Sequence, residues 1–301
     1  MQLPNQLRER AEGVHGVRGR RWLASLPALL EGCRARWSLE LGSPFADLSY
    51  NFVIAARGPG GEDFALKLGV PCRELESEAA ALRLFDGAGA VRLLDHDAER
   101  GALLIERALP GDPVHELLDD AGATRAAARL MLRLWREPPA AHAFPTLDEW
   151  FRAFDRLRSD FHGGSGPFPP ELVATAERTL SELNASAGRA VILHGDLHHA
   201  NILSTAEGGW IAIDPKGICG DRGYEVGPFT LNRLPDGAPE SALSEVMRGR
   251  LSIFSDELGI GRERLARWAF CHSVLSALWS FEDSDDWQPA IRLARILERL
   301  I

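Results

Sequence analysis

The stretch Val191–Asp214, VILHGDLHHANILSTAEGGWIAID, decides how this chain is read. Val191, Ile192 and Leu193 form a short apolar, β-branched run that reads as a buried strand. His194-Gly195-Asp196 breaks it, with Gly195 open to backbone angles closed to other residues. Asn201-Ile202-Leu203 reads as a second strand, Glu207-Gly208-Gly209 as a turn, and Trp210–Ile213 as a third strand ending at Asp214. A hairpin of this kind brings Asn201 and Asp214 to one end, where a carboxamide and a carboxylate oxygen can share a divalent cation. Asp196 is then available to aim and deprotonate a hydroxyl, and His194 is placed to brace the loop before it. These are the demands of phosphoryl transfer: an acceptor hydroxyl directed at the γ-phosphorus and a cation holding the triphosphate charge.

Simpler readings compete. Asp196 alone is a turn residue as readily as a catalyst, and Asp214 alone is a strand-end cap. With Asn201 between them, the spacing is that of a protein-kinase-type site. His194, His198 and His199 could be zinc ligands, but no Cys or Glu stands at partner spacing nearby.

Working outward, the chain before this stretch supplies the rest of a kinase plan. Residues 1–36 have helical spacing at Trp22, Leu23, Leu26, Leu29, Leu30 and Cys33. Three strands follow (WSLELGSPF, SYNFVIAARG, DFALKLGV), then a helix over RELESEAAALRLFD, then two strands, AVRLLDHDAE and GALLIERAL. Five strands with one helix after the third make a nucleotide-binding small lobe. Lys67 lies on the third strand, where a kinase lysine pairs the α- and β-phosphates. Glu78 is the ion-pair partner expected from the helix, with Glu74 the second choice. The loop before the second strand lacks GxGxxG, so Ser49 and Asn51, with backbone N–H groups, would serve the phosphates. Glu106 and Ala108, at the end of the last strand, would read adenine through their backbones.

Leu109-Pro110-Gly111-Asp112-Pro113 breaks the pattern, and the lobe boundary is placed at 108/109. From Val114 onward the chain reads as mainly helical, except for the stretch quoted first. The expected fold class is α+β: a two-lobe, protein-kinase-like fold. Its N-lobe is a five-stranded antiparallel sheet plus helix, and its C-lobe is mainly helical.

Composition narrows the function. The chain has 301 residues, 45% hydrophobic and 26% charged, with a net charge of −9. That charge argues against nucleic-acid binding and is compatible with a cationic small molecule. No apolar run approaches the roughly 20 residues that span a bilayer. The N-terminus has no apolar core of a secretory signal, and the four cysteines are scattered, so a cytoplasmic protein with reduced thiols is expected. Lys67 and Lys216 are the only lysines among 34 Lys and Arg residues.

Several stretches together resemble the aminoglycoside phosphotransferase family, in its streptomycin 6-kinase and hydroxyurea phosphotransferase branch. They are Arg21–Pro27, Arg36–Leu39, Ala90–Asp97, His194–His199 with Asn201-Ile202, Ile213–Gly217, and Leu275–Ser280 with Glu282-Asp283. The resemblance implies ATP-dependent phosphorylation of a small-molecule hydroxyl. It implies Asp196 as base, Asn201 and Asp214 as Mg²⁺ ligands, and Lys67 as the phosphate-binding lysine. ATP is the expected nucleotide, with GTP the alternative. Lys216 stands beside Asp214, where it would oppose a guanidinium-rich acceptor unless it reaches the γ-phosphate or points away.

A polycationic sugar would need acidic walls. Asp221, Glu225, Glu282 and Asp283 are the candidates, with Asp285 and Asp286 beyond them. Trp279 and Trp287 could stack on a sugar or simply fill the core. The leading reading is an aminoglycoside kinase, streptomycin being the type acceptor, in a monomer or homodimer. The alternatives are a housekeeping kinase for a sugar, amino alcohol or nucleoside, and a nucleotide-binding module without catalysis. A protein kinase lacks support, because no APE-like segment follows Asp214.

Overall fold

The computed structural model describes residues 3–46, 48, 50–283 and 286–301. The chain divides into two compact units, Met1–Gly111 and Asp112–Ile301.

The first unit carries α1 (Asn5–His15), α2 (Val17–Trp37), β1 (Glu40–Pro44), β2 (Phe52–Arg57), β3 (Asp63–Leu68), α3 (Arg73–Phe85), β4 (Leu93–Asp97) and β5 (Ala102–Glu106). Its strands form one antiparallel sheet in the order β1-β2-β3-β5-β4. The period-2 pattern decides the faces. Phe52, Ile54, Ala56, Leu66, Leu68, Ala102 and Leu104 share a cluster with Leu7, Trp22, Leu26, Leu30 and Cys33 of α1 and α2. Lys67, between Leu66 and Leu68, therefore takes the opposite face, where α3 brings Glu78. The expected single N-terminal helix is two, divided at Gly16. Gly19 lets them cross closely: a Cβ there would lie 1.8 Å from the Ala11 carbonyl oxygen.

The second unit begins at β6 (Pro110–Pro113), which spans the division, followed by α4 (Val114–Leu117), α5 (Asp120–Leu134), α6 (Leu147–Trp150), α7 (Ala153–Asp160) and α8 (Pro170–Ala185). Then come β7 (Val191–Leu193), β8 (Ile202–Thr205), β9 (Trp210–Ala212), β10 (Ile218–Gly220), α9 (Val226–Leu231), α10 (Glu240–Leu258), α11 (Arg262–Glu282) and α12 (Gln288–Glu298). α11 is buried almost all round, through Leu265, Trp268, Phe270, Val274, Leu275 and Leu278, as befits the central helix of a helical layer. Asp119 caps α5 through the Gly122 amide.

Two small sheets carry the stretch that opened the sequence reading. β8 and β9 form the expected hairpin, with β6 beside β8. β7 lies outside that hairpin. It pairs antiparallel with β10, in a segment whose sequence has too short a period to mark it as a strand. All four cysteines are free thiols. Among the described residues, no helix is long and apolar enough to cross a membrane.

Candidate active site

The loop after β7 is fixed from several sides. Ile192 donates to the Arg136 carbonyl at 2.8 Å, while β10 holds the strand's other edge. Gly195 has φ +85°, and a Cβ on it would meet Ile218 Cδ1 at 2.5 Å and Lys216 Cβ at 3.3 Å. Only glycine fits that turn. His194 is fully buried. Its Nδ1 accepts from the Asp196 amide at 3.2 Å, and its Nε2 donates to the Ile213 carbonyl at 2.8 Å. Those partners fix the neutral Nε2–H tautomer. Burial pushes its pKa down to about 3, so it braces the loop without carrying charge.

Asn201 was expected to open a strand. It instead closes a single 3₁₀ turn, His199–Asn201, capped by His198 Nδ1 accepting from the Ala200 amide. The turn lets its side chain point back to the loop. Its Nδ2 donates to the Asp196 carbonyl at 2.9 Å, and its own carbonyl accepts from Ile213 at 3.0 Å. Asp196, Asn201 and the approach to Asp214 are thus stitched together by backbone bonds. Asp214 sits at φ +61°, a left-handed angle that Asp tolerates better than most residues. The side chains of Asp196 and Asp214 each keep about a third of their exposure (34%), so both reach solvent. Asn201 and Asp214 offer hard oxygen donors, which suit Mg²⁺ far better than a soft metal.

Beneath the loop lies a residue whose role sequence reasoning missed. Glu225 was placed on a substrate wall; it is fully buried. One of its oxygens accepts from the His194 amide and the other from the Gly195 amide, both at 2.8 Å. Burial pushes its pKa up to about 7 against the pull of those two amides. Its neighbour Tyr224 accepts from Trp150 Nε1 at 2.8 Å and bonds His272 Nδ1 at 3.0 Å, which extends the support into α6 and α11. His199 is buried too and stacks on Phe229 of α9 at 3.8 Å.

Two further wall candidates are engaged in the fold. Asp221 accepts from Arg264 at 2.6 Å, from Trp268 Nε1 at 3.1 Å and from the Gly223 amide at 2.7 Å. Its carboxylate closes a turn instead of facing a ligand. Glu282 holds Arg156 through both oxygens, at 2.8 and 2.9 Å. Asp283 is exposed just past α11. Asp286 lines an open groove of about 1190 Å³ together with Arg233, Asp236, Trp287, Arg292 and Arg295. That wall mixes both charges. Trp279 packs edge-on against Trp150, with ring centres 5.2 Å apart. Ser49 and Asp285 lie outside the described residues.

In the first unit, Lys67 Nζ meets Glu78 Oε1 at 2.7 Å, with both side chains only 6% exposed. A buried pair this close holds the ammonium in place, since neither charge can be left alone in a dry site. Asn51 is half-buried, and its Oδ1 lies against Gly69, where a Cβ would come within 2.3 Å. The Glu106 carboxylate accepts from the Arg92 amide at 3.0 Å, and the Glu106 amide donates to the Arg92 carbonyl at 2.9 Å. The Ala108 carbonyl lies close to Gly111, where a Cβ would come within 2.7 Å of it.

The chain matches a family model described as aminoglycoside/hydroxyurea antibiotic resistance kinase over residues 36–284. It is 30% identical to a streptomycin 6-kinase of Streptomyces glaucescens, across 94% of this chain and 92% of that protein. It is also 30% identical to a hydroxyurea phosphotransferase of Kitasatospora aureofaciens, across 95% of this chain and 82% of the relative. Among solved structures, it superposes on an aminoglycoside phosphotransferase, APH(4)-Ia, in a ternary complex with ADP and hygromycin B. There the TM-score is 0.62 at 15% identity, covering 89% of this chain and 97% of the other.

Proposed function

The chain belongs to the aminoglycoside/hydroxyurea antibiotic resistance kinase family and is an ATP-dependent phosphotransferase of small-molecule hydroxyls, and we propose an aminoglycoside such as streptomycin as its acceptor. The observation that carries the site assignment is the bond from Asn201 Nδ2 to the Asp196 carbonyl, which ties the two motif residues into one rigid loop. Asp196 orients the acceptor hydroxyl and takes its proton as the oxygen attacks phosphorus. Asn201 and Asp214 would hold Mg²⁺, which neutralises triphosphate charge when bound. Lys67, fixed by Glu78, grips the phosphates, and Asn51 with the backbones of Glu106 and Ala108 holds the rest of the nucleotide. The small-lobe role falls to the first compact unit, and catalysis and acceptor binding to the second. Asp221, Glu225 and Glu282 are held within the fold, and the exposed Asp283 and Asp286 are the carboxylates proposed to meet a cationic acceptor. Free thiols and the lack of a membrane-crossing helix among the described residues support a cytoplasmic setting.

The test is ADP release with Mg-ATP against streptomycin, other aminoglycosides, hydroxyurea and a panel of sugars, amino alcohols and nucleosides. Release is expected with streptomycin. Asp196→Ala should cut kcat by about 10² or more, with ADP affinity within about threefold of wild type. Near-wild-type turnover in Asp196→Ala would remove the base assignment. Silence with every aminoglycoside beside a strong amino-alcohol signal would overturn the acceptor.

A further inference from the structure

All but two of the 34 Lys and Arg residues are Arg, so a basic surface position in this chain is written as Arg by default. Both lysines are largely buried and both stand beside a carboxylate: Lys67 at Glu78, and Lys216 at Asp214. Arg and Lys are not equivalent there. Guanidinium is a broad planar fork, whereas ammonium is a compact point charge that fits a crowded site.

Three observations locate Lys216. Its amide donates to the His194 carbonyl at 2.7 Å. Its Cβ would stand 3.3 Å from a Cβ on Gly195, so its stem runs alongside the residue before Asp196. Its Nζ lies 3.9 Å from Asp214 Oδ2, within electrostatic reach but beyond a hydrogen bond, with its side chain 18% exposed. The ammonium is therefore tethered at its backbone to the catalytic loop and placed at its tip beside Asp214.

Resting on the kinase reading above, we propose that Lys216 is a further catalytic residue, which contacts the equatorial oxygens of the γ-phosphoryl group during transfer. In that step the acceptor oxygen forms a bond to the γ-phosphorus as the bond from phosphorus to the β–γ bridging oxygen breaks. The bond's electron pair leaves with ADP, and the hydroxyl proton passes to the Asp196 carboxylate. Negative charge spreads over the transferring group, where a fixed cation is worth most. The assignment also gives a role to a cation that would otherwise oppose a guanidinium-rich acceptor.

The competing role is a structural counter-ion for Asp214, and the two separate experimentally. Lys216→Met and Lys216→Arg are made in the full chain. Turnover, ADP affinity, melting temperature and the binding preference for MgADP–aluminium fluoride over MgADP are then measured. A γ-phosphoryl contact predicts a kcat loss of about 10²–10³ in both variants. ADP affinity and melting temperature should stay near wild type, and the preference for the fluoride complex should be lost. Full activity in Lys216→Met would overturn the proposal. So would a variant that loses ADP affinity and melting temperature in step with kcat, or an Arg variant that restores activity while keeping the fluoride preference of wild type. The fluoride measurement needs no acceptor, so a wrong acceptor leaves it intact. A wild-type chain that gains nothing from aluminium fluoride would sink the kinase reading and this proposal together.

Discussion

Glu225 does at the residue scale what no local pattern announces. Its two oxygens satisfy the two backbone N–H groups that lead into Asp196. Removing a buried acceptor leaves each donor unsatisfied, at about 1–3 kcal/mol apiece. Glu225→Ala should therefore lower stability by roughly 2–6 kcal/mol and kcat by about tenfold or more, because the loop loses its fixed geometry. Glu225→Gln offers one acceptor oxygen and one ill-matched NH₂, so it should fall between Ala and wild type. Urea unfolding alongside steady-state kinetics checks both. An Ala variant with unaltered stability and kcat would remove Glu225 from the support of the loop.

At the scale of elements, α9 is the piece that links loop and bundle. Glu225 precedes it, Phe229 within it stacks on His199, and the turn after it is held by Arg250 of α10. Arg250 is 1% exposed. It donates to the carbonyls of Phe229, Thr230, Asn232 and Arg233 and to the Asp120 carboxylate that opens α5. One side chain thus closes the exposed carbonyls at the end of a helix too short to stand alone. Arg250→Met strands those carbonyls and should cost about 3 kcal/mol or more. Hydrogen exchange should show the loss concentrated in residues 226–233, ahead of the rest of the second unit. Uniform protection in the variant would contradict that role.

For the molecule as a whole, buried titratable groups set the response to acid. Burial holds His194 and His199 down to about 3 and His272 down to about 4. Unfolded histidines titrate near 6.5, so unfolding takes up protons between those values. Their contribution to stability is complete above about pH 6.5 and is lost as pH falls. Glu225 works the other way, because its folded pKa of about 7 lies above the unfolded value and its contribution falls as pH rises through that window. Three histidines against one carboxylate leave a net uptake of about two protons, or roughly 2–3 kcal/mol per pH unit between about pH 4.5 and 6.5. Asp95, held low by the Trp37 indole N–H at 2.6 Å, adds to the loss at still lower pH. Urea midpoints at pH 5 and 7 measure the slope, and a flat profile would mean that these histidines are solvated or charged in the folded chain.

What was readable in advance and what was not divide along a physical line. Long elements such as α3, α5 and α8 repeat their apolar residues over several turns, and β2 alternates, so their sequences carry their own periods. The hairpin β8–β9 was legible from Glu207-Gly208-Gly209 between two apolar runs, and the spacing of Asp196, Asn201 and Asp214 stood on the page beside it. β10 and α9 were not legible, being three and six residues long, too short for a period to emerge. Nor was the difference among the acidic side chains. Asp221, Glu225 and Glu282 look alike as candidates for a cationic ligand, yet one closes a turn, one supports the loop and one holds an arginine. The sequence by itself determined the residue types and the faces of the long elements, because periodicity is a property of the local backbone. Only the tertiary structure decided which carboxylates face water, because their partners, such as His194 for Glu225 and Arg156 for Glu282, lie 31 and 126 positions away.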